Sequence, residues 1–185
     1  MMSKSQRLDR IVGISLVILG VVTILVFMGF RVGIEAQEIG CLPYTTTLVH
    51  LEKPSNFHRG DLIALVTHGE MGGNFDGKLL GKMIVAVPGD RVAITHDQLY
   101  VNGIKLLRPL DLLSQLFKDP GDYDRQFVVP PDHLFVIGTE SRSYDSRYWG
   151  PVPTSEVVGH LYPLLPISSP SAHELAQQTL GARLL

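Results

Sequence analysis

Residues 11–30 form a run of 20 residues that contains no charged side chain. A helix of that length is long enough to cross the hydrocarbon core of a bilayer, which is about 30 Å thick. A cleavable signal peptide has a shorter apolar core and a small-residue cleavage motif, and no A-x-A motif follows this run. We therefore predict an uncleaved transmembrane anchor over residues 11–30, with a long cleavable leader as the alternative.

Basic residues are concentrated before the apolar run. Lys4, Arg7 and Arg10 precede it and are opposed only by Asp9. An excess of positive charge keeps the adjoining end of an anchor in the cytoplasm. Residues 1–10 are therefore predicted to be cytoplasmic, and the chain beyond the anchor is predicted to be exported. In a bacterium, this corresponds to a single-pass protein of the inner membrane with its folded domain in the periplasm.

The charge and cysteine content restrict the choice of partners. The chain has 16 Lys and Arg against 18 Asp and Glu, a formal net charge of −2. This balance provides no basic surface for nucleic acid, so we expect no nucleic-acid partner, and we assign no metal ion and no cofactor. The lipid bilayer is an expected partner because of the anchor. The single cysteine, Cys41, excludes an intramolecular disulfide.

Short apolar and β-branched runs separated by turn residues follow the anchor. The predicted strands are 45–51, 62–67, 79–87, 91–94, 98–101, 127–129, 133–137 and 156–161. Many short strands with regular turn signals are typical of a β-sandwich or barrel. We therefore predict one mainly β domain over residues 31–165, with one transmembrane helix before it.

Two further segments have helical signals. Residues 110–118 are predicted as a short helix inside an insertion. Residues 166–185 are predicted as a tail or a short helix, because Ser171 and Glu174 have the spacing of a capping box.

Lys82 stands at the start of the apolar run M-I-V-A-V, which leads into P-G-D at residues 88–90. A lysine that enters a sheet in this way can be buried, and burial disfavours the charged ammonium. The neutral amine that remains is a usable general base. The alternative is a lysine at the end of a strand with its ammonium group in water.

Cys41 is a candidate nucleophile just beyond the anchor. No serine lies between Ser15 and Ser55, so this segment offers only Cys41 or the threonines at 45–47 for that role. Cys41 alone lies in a G-x-x-P motif, residues 40–43, where the proline fixes the local backbone. The alternative is a buried cysteine that serves as a small apolar residue.

A dense polar and aromatic segment, S-Y-D-S-R-Y-W-G at residues 143–150, follows the apolar run H-L-F-V-I. The hydroxyl of Ser143 is suited to hydrogen-bond a lysine and orient its amine. Asp145 and Arg147 are suited to form a buried bidentate pair that holds the loop. An ordinary turn with a structural salt bridge is the alternative for these two residues.

Together these segments resemble the type I signal peptidases, a family of Ser-Lys peptidases, over about residues 40–165. In that family a serine in an S-x-P motif is followed by a lysine before an apolar run ending in P-G-D, and then by a loop with S-x-D-S-R. Lys82 falls on the family's lysine and residues 143–147 fall on S-x-D-S-R. The resemblance implies a β-sandwich or barrel of the signal-peptidase type.

Within this family, the chain is most similar to the TraF-type peptidases of conjugative transfer systems, through R-S-x-D-S-R-Y-x-G-P and the single anchor. This resemblance implies a membrane-tethered precursor, a conjugative propilin, as substrate, and components of a type IV secretion apparatus as further partners. The implied catalytic residues are Cys41, Lys82 and Ser143. The implied supporting loop consists of Gly138, Asp145, Ser146 and Arg147. The implied substrate groove includes Leu42, Pro43 and Met83.

The chain also departs from the family pattern. Cys41 replaces the serine, and Ile39 stands where many bacterial members have a hydroxyl that donates to the oxyanion hole. Residues 138–140 read G-T-E rather than G-D-N. A non-catalytic scaffold with the peptidase fold is therefore the main alternative function. A general signal peptidase of the cell is a third interpretation, which the compact chain and single anchor disfavour.

Overall fold

The structure is a computed structural model that describes residues 4–34, 41–67, 69, 77–106, 109–140, 142–164, 171–181 and 184–185. Its helices are α1 Lys4–Phe27, α2 Ser146–Trp149 and α3 Ala172–Leu180, with a 3-10 turn at Thr154–Glu156. Its strands are β1 Phe30–Ile34, β2 Thr46–His50, β3 Leu62–Val66, β4 Leu79–Ala86, β5 Arg91–Thr95, β6 Gln98–Val101, β7 Ile104–Lys105, β8 Arg125–Val128, β9 His133–Ile137, β10 Val152–Pro153 and β11 Val157–Pro163.

Helix α1 contains most of the predicted anchor. Its segment Ser5–Phe27 is long enough and apolar enough to cross a membrane, judged by length and composition. The helix ends at Phe27, three residues before the predicted end of the anchor at residue 30. Gly29 has φ +83°, a left-handed conformation that ends a helix and that glycine adopts without a side-chain penalty. Phe30 then begins β1.

Strand β1, which the sequence did not predict, connects α1 directly to the folded domain. It pairs antiparallel with β2, and the backbone N–H of Leu51 donates to the carbonyl of Gly29 at 3.0 Å. Arg31 donates to the carbonyl of Val26 in the last turn of α1, at 3.0 Å. The end of the helix is therefore hydrogen-bonded to the strand that follows it.

The strands form two antiparallel sheets. The larger has the order β1-β2-β11-β3-β4-β9-β10 and the smaller the order β7-β6-β5-β8. Apolar side chains from both sheets share one core, as Val85 and Phe135 of the larger sheet cluster with Val92 and Leu99 of the smaller. A second core, which includes Ile84, covers the other face of the larger sheet. The prediction of a mainly β fold after one apolar helix is confirmed.

Strand β9 pairs with only part of one edge of β4. β4 pairs with β3 along its length from Leu79 to Met83. Its pairing with β9 begins only at Met83, opposite Ile137. Residues 79–82 therefore lack a β9 partner on that side, and the loop after β9 departs at this point.

The predicted helix at 110–118 is wrong, because this segment is a series of turns. Leu110, Leu112 and Leu113 are all buried. Phe117 has φ +54°, which ends any helical path. At the other end of the chain, the predicted capping box of α3 is present between Ser171 and Glu174.

Three turns meet where the two sheets join. Arg59, before β3, donates through Nε to the Oδ2 of Asp90 at 2.8 Å. Asn102, in the turn between β6 and β7, donates to the Oδ1 of Asp90 at 2.8 Å. Asp90 also accepts from the backbone N–H of Val87. This cluster ties β3 and β4 to the smaller sheet.

Candidate active site

The side chain of Lys82 lies inside the protein, with an exposed fraction of 0%. Its amine Nζ contacts three polar atoms of the chain. Cys41 Sγ lies at 2.9 Å, Ser143 Oγ at 2.8 Å and the backbone carbonyl of Tyr144 at 2.9 Å. The structure therefore brings the three residues of the expected catalytic set into direct contact.

The chemistry of these partners restricts the orientation of the amine. The carbonyl of Tyr144 can only accept, so one N–H of Lys82 must point to it. The Ser143 hydroxyl can accept a second N–H. A neutral amine then has its lone pair left for the remaining contact, the sulfur of Cys41. The arrangement suits an amine that receives the thiol proton.

Cys41 is half-buried and is held by the loop that follows β9. Its carbonyl accepts from the backbone N–H of Thr139 at 2.8 Å and from that of Glu140 at 3.3 Å. Gly138 allows this approach, because an added Cβ there would collide with Ser143 Oγ and lie 2.7 Å from the Cys41 carbonyl. A side chain at position 138 is therefore incompatible with the contact between the two segments.

Asp145 and Arg147 form the bidentate pair that the sequence predicts. Arg147 donates to the Asp145 carboxylate through Nε at 2.8 Å and through Nη2 at 2.7 Å, and the two side chains are 0% and 1% exposed. Asp145 also accepts from the backbone N–H of Gly138 at 2.9 Å. Arg147 donates in addition to the carbonyls of Ser143 at 3.2 Å and Pro109 at 2.6 Å. The pair therefore fixes both ends of the loop that carries Ser143.

The directions of the pKa shifts of Asp145 and Arg147 indicate that the site favours the charged form of both side chains. Burial alone would raise the pKa of Asp145, but the charge and hydrogen bonds of Arg147 hold it below its usual value. Burial would lower the pKa of Arg147, and the facing carboxylate raises it instead. Both side chains are therefore charged at neutral pH and neutralise each other.

Helix α2, at the end of the loop, is anchored by Ser146 and its neighbours. Ser146 Oγ accepts from the backbone N–H of Val136 and from the indole Nε1 of Trp149, both at 3.1 Å. Tyr148 Oη accepts from the backbone N–H of Leu112 at 3.0 Å. Burial raises the pKa of Tyr148 to about 12. The loop is thus packed against β9 on one side and against the 110–118 turns on the other.

A cavity of about 180 Å³ with a mainly apolar lining lies between β4 and the segment that follows Cys41. Leu42, which follows Cys41, and Gly81, which precedes Lys82, both line it. An added Cβ at Gly81 would come within 2.9 Å of a methyl of Leu161, so the glycine keeps this space open.

The predicted groove residues have different outcomes. Leu42 lines the cavity, whereas Pro43 is half-buried and does not. Met83 is 0% exposed, packs in the shared core and does not line this cavity. Successive strand residues point to opposite faces, so Met83 points away from the face that carries Lys82.

The sequence did not reveal every contributor to the site. The Tyr144 carbonyl is a backbone acceptor, and no residue type signals it. The cavity beside Gly81 depends on chain segments distant in sequence. Ile39 and Gly40 lie outside the described residues. Within the described residues, no group of three or more His, Cys, Asp and Glu side chains is arranged to hold a metal ion.

Comparison with known proteins identifies the family. The family described as "Signal peptidase, peptidase S26" matches residues 5–164. The chain is a member of this family. The Lys82 contacts described above thus occur in a chain of the S26 signal peptidase family.

Individual S26 relatives are similar over part of their length. Signal peptidase I of Bacillus caldolyticus is 39% identical over 88 residues, which is 42% of this chain and 48% of that protein. Conjugal transfer protein TraF of Agrobacterium tumefaciens (strain 15955) is 38% identical over 90 residues, 45% of this chain and 47% of that protein. The chain therefore aligns with about half the length of these relatives.

A solved structure is also similar. The crystal structure of a signal peptidase I from Enterococcus faecalis V583 matches with 28% sequence identity and a TM-score of 0.40. The match covers 57% of this chain and 97% of that one.

Proposed function

We propose that this S26 protein is a membrane-anchored endopeptidase that cleaves an exported precursor with a Cys41–Lys82 pair. The observation that carries the proposal is the buried amine of Lys82, 2.9 Å from Cys41 Sγ. Its two other contacts, Ser143 Oγ and the Tyr144 carbonyl, orient it toward the sulfur. Lys82 has no carboxylate partner of its own within the part of the chain that the structure describes, and such a buried lysine is costly to retain for stability alone.

The proposed reaction has two stages. Lys82 takes the proton from Cys41, and the thiolate attacks the scissile carbonyl of the substrate. The tetrahedral intermediate collapses to a thioester, and the leaving amine takes a proton from Lys82. Lys82 then activates water for attack on the thioester, which releases the product and restores the thiol. A thiol is more acidic than an alcohol, so an amine base deprotonates it more readily than it would a serine.

The substrate is proposed to bind as an extended strand along the open edge of β4. Residues 79–82 have no β9 partner there, and an extended peptide adds to a free strand edge through main-chain hydrogen bonds. A side chain of such a peptide near the scissile bond would enter the cavity lined by Leu42, Gly81 and Leu161. The apolar lining of this cavity favours an apolar side chain at that position.

The substrate is proposed to be a membrane-tethered conjugative propilin, processed in the periplasm at the inner membrane. This choice is supported by the similarity to a conjugal transfer protein TraF and by the apolar helix α1, which would keep the site near the bilayer. Components of a type IV secretion apparatus would be its further partners. Mass spectrometry of the pilin produced with and without this protein tests the assignment and distinguishes a linear from a cyclic product.

The central test is a precursor-processing assay with Cys41→Ala and Lys82→Met. Each change removes a reacting group, and we expect processing to fall to background in both variants. Cys41→Ser is the matched control, because it keeps a nucleophile of the family's usual type and is expected to retain measurable processing. Normal processing by the Ala or Met variant, with both proteins folded, would refute the mechanism.

A non-catalytic scaffold remains the competing function. The replacement of the family's serine and of its G-D-N sequence favours it, as does the hydroxyl of Thr139, which is buried with no hydrogen-bond partner among the described residues. Iodoacetamide separates the two functions, because Cys41 is the single cysteine of the chain. An enzyme loses precursor processing on alkylation in proportion to the label, whereas a scaffold has no processing to lose.

A further inference from the structure

Trp149 lies beside the amine of Lys82. The amine nitrogen is 5.9 Å from the centre of the indole ring, over its face. The ring orientation is fixed, because its Nε1 donates to Ser146 Oγ at 3.1 Å. The Tyr144 ring packs against it, with the ring centres 5.6 Å apart. An aromatic face at this distance attracts a cation electrostatically.

The proposed chemistry creates a cation at this position. When the proton of Cys41 moves to Lys82, the S–H bond breaks, an N–H bond forms, and the electron pair stays on sulfur. The buried ammonium then contacts two neutral oxygens, Ser143 Oγ and the Tyr144 carbonyl. The nearby carboxylate of Asp145 is already neutralised by Arg147.

The negative charge on the sulfur of Cys41, which faces the ammonium of Lys82, is also transient. As the thiolate attacks the substrate, its negative charge moves to the substrate oxygen, away from the ammonium. The lysine cation therefore loses its strongest partner at the stage when the barrier is crossed. A fixed group that favours the cation, and that has little interaction with the neutral amine, accelerates such a step.

We propose that Trp149 is a positioning residue that acts through Lys82, by stabilising its ammonium form with the face of the indole ring. The inference deepens the proposed function and rests on it. It assigns a role in proton transfer to a side chain that does not touch the substrate. It also predicts that the electron density of the ring, and not only its shape, controls the reactivity of Cys41.

The composition of the chain allows a direct test in the full-length protein. It has one tryptophan and one cysteine. Biosynthetic replacement of tryptophan by mono-, di- and trifluorotryptophan therefore alters position 149 alone, nearly conserves the ring shape and keeps the Nε1–H donor. Fluorine withdraws electrons from the ring face and weakens its attraction for a cation.

The first readout is the rate of alkylation of Cys41 by iodoacetamide, which needs no substrate. Loss of the ring interaction is expected to slow alkylation stepwise along the series, by a total of about twofold to thirtyfold. In the Lys82→Met background no ammonium forms, so the same series should give a uniformly slow rate. A rate that is unchanged by fluorination in the wild-type background would overturn the proposal.

The second readout is the kinetics of precursor cleavage. We expect kcat to fall along the fluorination series while KM stays constant, because the interaction exists only after proton transfer. Trp149→Phe, which keeps a weaker aromatic face, should fall within the series, and Trp149→Leu should lie below it. A rise in KM along the series at constant kcat would contradict the proposed role.

The two readouts separate the inference from the proposed function. If the protein is not a peptidase, cleavage is absent, but the alkylation trend persists because it depends only on residues 41, 82 and 149. If the protein is a peptidase and Trp149 has only a structural role, cleavage is measurable and both trends are flat.

Discussion

Two carboxylate–guanidinium pairs among the described residues of the folded domain have the same chemistry and different surroundings. Asp145 and Arg147 are 0% and 1% exposed and lie next to the proposed dyad. Asp90 and Arg59 are 9% and 27% exposed and lie where the two sheets join. Each carboxylate also accepts a backbone N–H, from Gly138 in the first pair and from Val87 in the second.

The difference in burial assigns the two pairs different tasks. A partly exposed pair can exchange hydrogen bonds with water and contributes little net stability. A fully buried pair cannot, so its members depend on each other and on the surrounding backbone. The buried pair holds the loop of Ser143, and the partly exposed pair joins turns where the two sheets meet, away from the proposed dyad.

The largest contrast is expected from removing one carboxylate of each pair. Asp145→Ala leaves Arg147 buried and uncompensated, and we expect the free energy of unfolding to fall by about 3–5 kcal/mol. Urea unfolding in detergent micelles, followed by circular dichroism, measures it. If Asp145→Ala lowers the free energy of unfolding by less than Asp90→Ala does under the same conditions, burial does not determine how much each pair contributes to stability.

A second comparison substitutes one glycine next to the proposed dyad, Gly138, and one near the junction of the two sheets, Gly89. Gly138→Ala forces Ser143 Oγ and the Cys41 carbonyl apart, and such a displacement costs about 100-fold in rate. Gly89→Ala is the matched control, since an added Cβ there meets no atom within 4 Å although φ is +89°. It should lose some stability and retain its kcat in the processing assay. Equal activity of the two variants would contradict the tight contact at position 138.

A smaller effect is expected from Asp90→Ala itself. Arg59 remains partly solvated when its partner is removed, so we expect a loss of about 1–2 kcal/mol in the free energy of unfolding. Because this region is separate from the dyad, kcat should stay near the wild-type value. Loss of cleavage in a variant that is still folded would indicate that the junction between the sheets also positions the site.

Low pH is expected to give the smallest difference between the two pairs. The stability that each carboxylate contributes is lost in the same direction of pH. Burial would raise the pKa of Asp145 and of Asp90, but each arginine partner and the local hydrogen bonds hold it below the usual value. Their stabilisation is therefore complete above the unfolded pKa of about 3.9 and is lost as the pH falls through the lower folded pKa. Acid unfolding of Asp145→Ala should depend less steeply on pH than that of the wild type.

The sequence predicted the parts of the molecule that depend on local pattern. The apolar helix, the short strands and the loop with its Asp145–Arg147 pair follow from uncharged length, β-branched runs and residue spacing. The contact of Cys41 with Lys82 was expected from the family pattern, since the residues are separated by 40 others and no local rule brings them together.

The failures have a common physical cause. The family resemblance implied a groove position for Met83, but strand alternation places its side chain in the shared core. The 110–118 turns have helix-forming leucines, but packing of consecutive leucines against the domain overrides that preference. Strand β1 was missed because three of its five residues are exposed, and it is held by its pairing with β2.

The short connection between α1 and β1 has a consequence for substrate choice. The helix end is hydrogen-bonded to the strand that follows it, through Arg31 and Val26, and the strand is hydrogen-bonded into the larger sheet. With α1 in a bilayer, this hydrogen-bonded connection would hold Cys41 at a fixed distance from the membrane surface. Only peptide bonds at one distance from the substrate's own membrane segment would then reach Cys41. A spacer inserted between that segment and the bond would move the bond out of reach.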